Sequence, residues 1–571
     1  MKRFPLWHVA LIVCLCVLAY ANTVSNAFVW DDEQQILQNP TLRSLSNIPN
    51  AFQTPFWGFR AKPGEKVIHF YRPLQTIAYT VGYWWAGGYS PVPDHLINII
   101  LHTIASVFVY FICLELGLPG LYGLLGAALF AVHPIHTEVV AWIAATPDAA
   151  CGAFYFAAFW AFLRSDNGAK LTYLSLSAVL MFLALLSKEM ALTLPAFVIL
   201  YTLRPGGPAL KLSRRIRMLV PYGVTSVVYL VMRANALGYM VTTDTDIKAS
   251  LLDWVSLFFR VFGQYVQQTV IPYPLVAYHL VEMHFADRVQ PTVAAFVLVV
   301  VLIGVAWMLR KRVPEAWFWY VAFTVLLAPA LYLIGLSNTF LAERYLYTPS
   351  LAPTVLAMLL LRRAPAKAIW AGWAVVAIFF VVTVQRNVDW SDDEHMYAKT
   401  LEYEPDVAVF QINLADILLA RGDDANAARH LNRAIEGLAS GKYIQTPSDA
   451  YRARVGFAAI LARAHNYEGA RKQLDLVQQA SPFSEWPYIY LGGIAIEAEN
   501  DLPKALELER KAVHLAPKND VAHDYLGIVL FNLNRLDEAQ ASFEQALRLN
   551  PTSKDARAHL DMAKRAMQPG L

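Results

Sequence analysis

Long apolar runs recur through the first two thirds of the chain and stop near Arg386. No other feature restricts the fold as much. Inside hydrocarbon every main-chain N–H and C=O must be satisfied within the protein, which leaves only helices and closed barrels, and continuous rather than alternating runs select helices. About eleven runs approach the length that a bilayer asks for, several of them at the short end: 6–21, 93–115, 119–133, 147–164, 171–186, 189–203, 215–233, 291–309, 315–336, 343–361 and 367–385. Two further stretches, 74–85 and 251–271, are read as interfacial or re-entrant. The first is too short to span and carries Trp84 and Trp85, with Tyr89 close by, at headgroup depth; the second is amphipathic.

The charges test this count. With the N-terminus inside, the cytoplasmic connections hold Arg164 and Lys170, then Arg204, Lys211, Arg214, Arg215 and Arg217, then Arg310, Lys311 and Arg312, then Arg362, Arg363 and Lys367. That is the positive-inside bias at every sizeable inner loop, and counting either interfacial stretch as a crossing would move half of the clusters outside. The first run, after Lys2 and Arg3, is read as a retained anchor rather than a signal peptide cleaved near Ala19 and Ala21; in both cases the chain after Asn22 leaves the cytoplasm. At 57% hydrophobic the chain is too apolar for a soluble protein, so the lipid bilayer is a partner. A net charge of +3, with no basic run interleaved with aromatics, excludes nucleic acid. Cys14, Cys16, Cys113 and Cys151 all fall in apolar runs, where thiols act as small hydrophobes.

Beyond Arg386 the composition turns to soluble helix. Gly527, Ala539, Ala546 and Pro551 repeat Gly493, Ala505, Ala512 and Pro517 at the tetratricopeptide period of about 34 residues, and small residues at those positions let two helices pack closely. Ala415, Ala427 and Ala434, preceded by Pro405, keep the same spacing. A degenerate unit around Ala459, Ala470 and Pro482 follows an insertion near 441–447, and residues 392–404 are expected to cap the array against the membrane domain. The fold class is therefore all-α: a polytopic transmembrane domain over 1–388, then a tetratricopeptide repeat solenoid over 389–571.

The chemistry gathers outside the membrane. Asp31, Asp32 and Glu33 follow Trp30 soon after the first run, and successive carboxylates cannot sit in hydrocarbon, so they lie in water or in a protein-lined cavity: a solvated patch or the mouth of a site. Four polar constellations fall on the same side. His133, Pro134, Ile135, His136, Thr137 and Glu138 either line a cavity or offer metal ligands, although Pro134 argues against a regular ligand face. Lys188 and Glu189 either pair at a helix end or send a cation into the cavity. Glu343 and Arg344 open a run, and Arg72 precedes Pro73. Cations at an outer face need a partner, and a phosphate suits a guanidinium. Asp244 and Asp246, spaced Asp-x-Asp, are read as a solvated turn rather than a metal site.

An acidic pair after the first run, Arg72-Pro73-Leu74, His133 to Glu138, Ser187-Lys188-Glu189 and Glu343-Arg344-Tyr345-Leu346-Tyr347, in that order and followed by tetratricopeptide repeats, resemble the transmembrane and tetratricopeptide repeat containing proteins. That family sits among the GT-C membrane glycosyltransferases, beside the protein O-mannosyltransferases. The resemblance implies transfer of a sugar from a polyprenyl phosphate to a protein Ser or Thr hydroxyl on the non-cytoplasmic face, periplasmic or lumenal. Asp31 is then the catalytic carboxylate with Asp32 beside it; Arg72, His133, His136, Glu138, Lys188, Glu189, Glu343 and Arg344 bind substrate, and the repeats hold the acceptor protein. Chemistry agrees in part. A hydroxyl attacking an anomeric carbon needs a base, whereas a departing phosphate needs cations and no general acid. Which of Asp31, Asp32 and Glu33 is the base stays open, as does a divalent metal. Ala145 and Thr146 stand where relatives often have an Arg before the acid at Asp148, so the resemblance assigns that loop no role. The alternative is a membrane-anchored tetratricopeptide scaffold without catalysis.

Overall fold

The computed structural model describes residues 5–60, 70–166, 168–238, 249–282, 284–311, 313–331, 339–443, 445–551 and 553–567. Asp244 and Asp246 lie outside them. Every regular element among the described residues is a helix or a short helical turn, and the chain divides into two compact units, Met1–Glu404 and Pro405–Leu571.

Among the described residues of the first unit five helices are long and apolar enough to cross a membrane: Leu6–Ser25, Pro91–Glu115, Leu212–Leu237, Phe285–Leu309 and Ala368–Trp390. A sixth arises if Gly120–Ala131 and Pro134–Ala141, bent by 48°, count together. The run expected as a straight span over 119–133 thus ends at Ala131, because Pro134 cannot donate to the helix and the His133 side chain accepts the Ile135 N–H instead, at 3.2 Å. The runs 189–203 and 343–361 divide likewise. Glu189–Thr193 and Glu343–Leu346 are tight turns, followed by helices Leu194–Thr202 and Leu351–Leu361. Among the described residues, length and composition alone therefore carry five or six crossings where the sequence suggested about eleven; in the runs 119–133, 189–203 and 343–361 the polar motifs shorten the helices below about 20 residues. The stretch read as interfacial over 74–85 is the helix Pro73–Ala86, which exposes Val81, Trp84 and Trp85 and buries Gln75, Tyr79 and Gly82.

The unit's centre is the pair Pro91–Glu115 and Thr146–Arg164. The second is lined with buried Ala and Gly, so backbones approach closely; a Cβ on Gly152 would fall 2.3 Å from the Tyr347 ring. Both helices begin beside the polar motifs, where the Thr146 hydroxyl donates to Asn98 Oδ1 at 2.7 Å and the Asn98 amide to the Trp142 carbonyl at 3.1 Å. They end among the basic loops. There Arg164 meets Glu115 at 3.0 Å, Arg362 the Gly117 carbonyl at 3.2 Å and Arg214 the Asp166 carbonyl at 3.0 Å. Motifs and basic clusters thus occupy opposite ends of the same helices.

The second unit stacks four helix pairs, Ala408–Ala420 with Asp424–Ala439, Pro447–Arg463 with Tyr467–Ala480, Trp486–Glu497 with Leu502–Leu515 and Asp520–Asn532 with Leu536–Leu549, and closes with Lys554–Ala566. The periodic alanines Ala415, Ala427, Ala434, Ala470, Ala505, Ala512, Ala539 and Ala546 are all fully buried. Gly527 behaves as expected, since a Cβ there would sit 2.4 Å from the Phe543 ring. Gly493 does not. Its Cβ would meet only Tyr525, at 3.9 Å, and the close approach in that pair falls one residue earlier, at Gly492 against Glu509. A groove of about 600 Å³ lined by Tyr467, Arg471, Lys472 and Glu499 holds none of the sequence-predicted site residues. The helix Asp393–Tyr403, expected as a cap of the array, belongs to the first unit.

Candidate active site

Asp31 and Asp32 sit side by side yet do different things. Asp32 is fully buried, and its two oxygens accept the Val29 N–H at 3.0 Å and the Ala144 N–H at 2.7 Å, tying the loop after the first helix to the turn Ile143–Ala145. Burial holds its carboxyl well above the usual range against the pull of those two N–H groups. Asp31 stays partly exposed, and no hydrogen bond to its carboxylate occurs among the described residues. Burial pushes it up to about 6, and the nearby guanidinium groups of Arg344 and Arg60 oppose the rise. Glu33 is exposed and accepts from the Gln38 side chain at 3.3 Å.

The predicted cations form a chain of ion pairs. Arg344 is held by Glu138, which accepts the Arg344 main-chain N–H at 2.8 Å and also takes its guanidinium. Its Cζ lies 5.2 Å from the Trp142 ring centre and 5.1 Å from that of Tyr345. Across Tyr345, at 5.0 Å from the same ring, stands the Lys188 ammonium, paired with Asp148 at 2.6 Å. Arg72 faces Glu189 at a looser 3.7 Å and covers Phe70 at 4.1 Å. Cys151 is within electrostatic reach of Asp148, Lys188, Glu189 and Arg72, which connects the last two pairs, while Arg344 reaches both Asp31 and Asp148. One difference among the cations has chemical weight. The buried Arg72 Nε–H has no hydrogen-bond partner among the described residues, so a donor is left over there.

Three predicted residues are committed to the protein itself. His133 donates from Nε2 to the Thr269 carbonyl at 3.1 Å while Nδ1 accepts from Ile135, and His136 bonds the Phe130 carbonyl through Nδ1 at 2.8 Å and the Ser350 hydroxyl through Nε2 at 3.0 Å. Neither ring fits a metal ligand, and among the described residues no three His, Cys, Asp or Glu side chains converge to hold a cation. Glu343, fully buried, accepts the Val276 N–H at 2.5 Å and the Arg386 guanidinium at 2.8 Å, turning away from its neighbour Arg344.

The structure also adds residues. Asp148, left without a role, partners Lys188. Arg60 is a second cation near Asp31, and Asp94, buried with Oδ1 unpaired among the described residues, is within reach of Asp32 and fits only because Gly82 has no side chain, a Cβ there falling 2.4 Å from that oxygen. An acid inside an otherwise apolar run was the signal for Asp94; the others have none that spacing carries.

Comparison with known proteins agrees with both halves. Residues 389–443 and 521–553 match tetratricopeptide repeat families. The chain is 24% identical to the human protein O-mannosyl-transferase TMTC3 over 97% of its own length and 65% of that protein, and 25% identical to the Caenorhabditis elegans protein O-mannosyl-transferase F38B6.6 over 75% and 62%. It is 35% identical to the Drosophila melanogaster protein O-mannosyl-transferase Tmtc1 over 31% of this chain and 21% of that one. The chain thus spans about two thirds or less of the length of these relatives. Over nearly all of its own length, it resembles the transmembrane and tetratricopeptide repeat containing proteins.

Proposed function

We propose that the first unit is a GT-C type glycosyltransferase that moves a sugar, mannose by the names of its relatives, from a polyprenyl phosphate to a protein hydroxyl on the non-cytoplasmic face. The observation that carries this reading is Asp31: a partly exposed carboxyl within electrostatic reach of Arg344, without a hydrogen-bond partner among the described residues, raised to about 6. Such a group is ionised at neutral pH yet is a better base than an ordinary carboxylate. Asp31 takes the acceptor hydroxyl proton as the oxygen attacks the anomeric carbon, and the C–O bond to phosphate breaks with its electron pair on the phosphate. One carboxylate acting in a single displacement inverts that carbon. Arg72, with its spare N–H, together with Lys188 and Arg344, stabilises the departing phosphate. Asp32, Glu138, Asp148 and Glu189 hold these groups in place. The basic loops gathered at the far end of the shared helices support a non-cytoplasmic placement, which assumes the about eleven crossings of the sequence reading. The repeats then present the acceptor protein.

Donor choice tests this. Purified protein supplied with polyprenyl phosphate mannose and a Ser/Thr-containing acceptor should glycosylate it, whereas a nucleotide sugar should give nothing. Transfer from no lipid-linked sugar would leave the scaffold reading.

A further inference from the structure

At the basic end of the central helices several guanidinium groups have a protein acceptor: Arg164 has Glu115, Arg204 the Tyr201 carbonyl at 2.8 Å, Arg214 the Asp166 carbonyl and Arg362 the Gly117 carbonyl. Arg215 has none. It is half-buried, and its Nε–H is covered by protein without a hydrogen-bond partner among the described residues. A shielded, charged donor without an acceptor is costly, so the position favours an anion. Its surroundings add cations and little to compete with one. Lys211 and Arg217 lie within a turn of it, and no ion pair to Lys211, Arg215 or Arg217 occurs among the described residues. Between Asp166 and Asp244 the chain carries a single acid, Glu189, beyond the opposite end of the helix Leu171–Ser187.

These three cations open the helix Leu212–Leu237, which is long and apolar enough to cross a membrane. From its first residue Leu212, Ile216, Val220 and Val224 follow four apart, each more than half exposed, whereas Met218, Tyr222 and Tyr229 are buried. At about 100° per residue, Arg215 falls between that buried face and the exposed stripe, and Arg217 falls on the stripe's far edge. We infer that Arg215, with Lys211 and Arg217, holds the phosphate of an anionic glycerophospholipid whose acyl chain lies along Leu212, Ile216, Val220 and Val224. This site is independent of the glycosyltransferase reading. A guanidinium matches two phosphate oxygens through paired N–H bonds. Lys211 and Arg217 add an attraction that a zwitterionic headgroup offsets with its own cation. The stripe decides the source of the phosphate, since a free anion meets only the cations while a lipid meets both.

The test titrates the full chain in detergent with phosphatidylglycerol, phosphatidylcholine of the same acyl chains and inorganic phosphate, reading bound ligand by native mass spectrometry. Wild type should bind phosphatidylglycerol at least about tenfold more tightly than phosphatidylcholine, and Arg215→Gln should lose at least about tenfold of that affinity. Arg215→Lys, which keeps the charge and loses the fork, should fall between the two. Arg363→Gln, in another basic loop, should bind as wild type does. Equal affinity for both lipids, inorganic phosphate bound as tightly as phosphatidylglycerol, or wild-type phosphatidylglycerol binding by Arg215→Gln overturns the site. An equal loss in Arg363→Gln does so too, since the effect is then one of net charge. Arg215 has no protein acceptor to lose, so without lipid Arg215→Gln should unfold at the wild-type temperature. An earlier transition would show that Arg215 supports the fold rather than a lipid, and it also overturns the proposal.

Discussion

Two adjacent carboxyls, Asp31 and Asp32, show how much main-chain contacts decide at the residue scale. Asp32 spends both oxygens on N–H groups; Asp31 spends neither, and burial raises it from 3.8 to about 6. Transfer should therefore fall about tenfold per pH unit below about 6, as the base is protonated, and a kcat against pH profile would check it. Stability should move the other way. Between the two values the folded chain keeps a proton that the unfolded chain releases, so this group destabilises as pH rises through that window, and Asp31→Asn should hold or raise the melting temperature at neutral pH. The Lys188–Asp148 pair, 2.6 Å apart and buried, predicts a different outcome. Asp148→Asn strands the ammonium and should cost about 3–5 kcal/mol, while an apolar replacement of both residues should recover most of it; thermal unfolding in detergent measures both. The motifs brought Arg72, Lys188, Glu189, Glu138 and Arg344 into view. Their pairing was not legible, because partners such as Glu138 and Arg344 come from elements more than two hundred residues apart.

The elements were legible where one physical force acts alone. Continuous apolar runs gave Pro91–Glu115 and Ala368–Arg386 to within a few residues, because hydrocarbon leaves no alternative to a helix. Where a polar motif adjoins a run the reading failed: Pro134, Glu189 and Glu343 turn run ends into bends that hydropathy does not see. In the repeats the period placed most of the alanines correctly, but at Ala459, half-buried beside the buried Ala458, and at Gly493 it fell one residue past the close-packed position. Gly527→Ala should cost about 1–3 kcal/mol by pressing on Phe543, whereas Gly493→Ala should be neutral or stabilise by up to about 1 kcal/mol, read as resistance of the repeats to protease on heating. Glu509 occupies the position where the next repeat has Phe543, fully buried with both oxygens unpaired among the described residues, and burial raises it from 4.5 to about 9. Across that window the unfolded chain ionises and the folded one does not, so the repeats should lose stability as pH rises, and Glu509→Gln should remove the loss, with a larger gain at pH 8 than at pH 5.

At the scale of the whole molecule the motifs gather at one end of the central helices and the basic loops at the other. If those loops are cytoplasmic, protease added from the opposite side should reach the repeats without permeabilisation, and digestion only from the cytoplasmic side would reverse the topology. The account depends above all on one atom group doing chemistry. Asp31→Asn keeps shape and removes basicity, so sugar transfer should fall by about 10²–10⁴ while affinity for polyprenyl phosphate mannose stays at the wild-type value. Wild-type turnover in that variant, measured beside donor binding on the same preparation, would contradict the account.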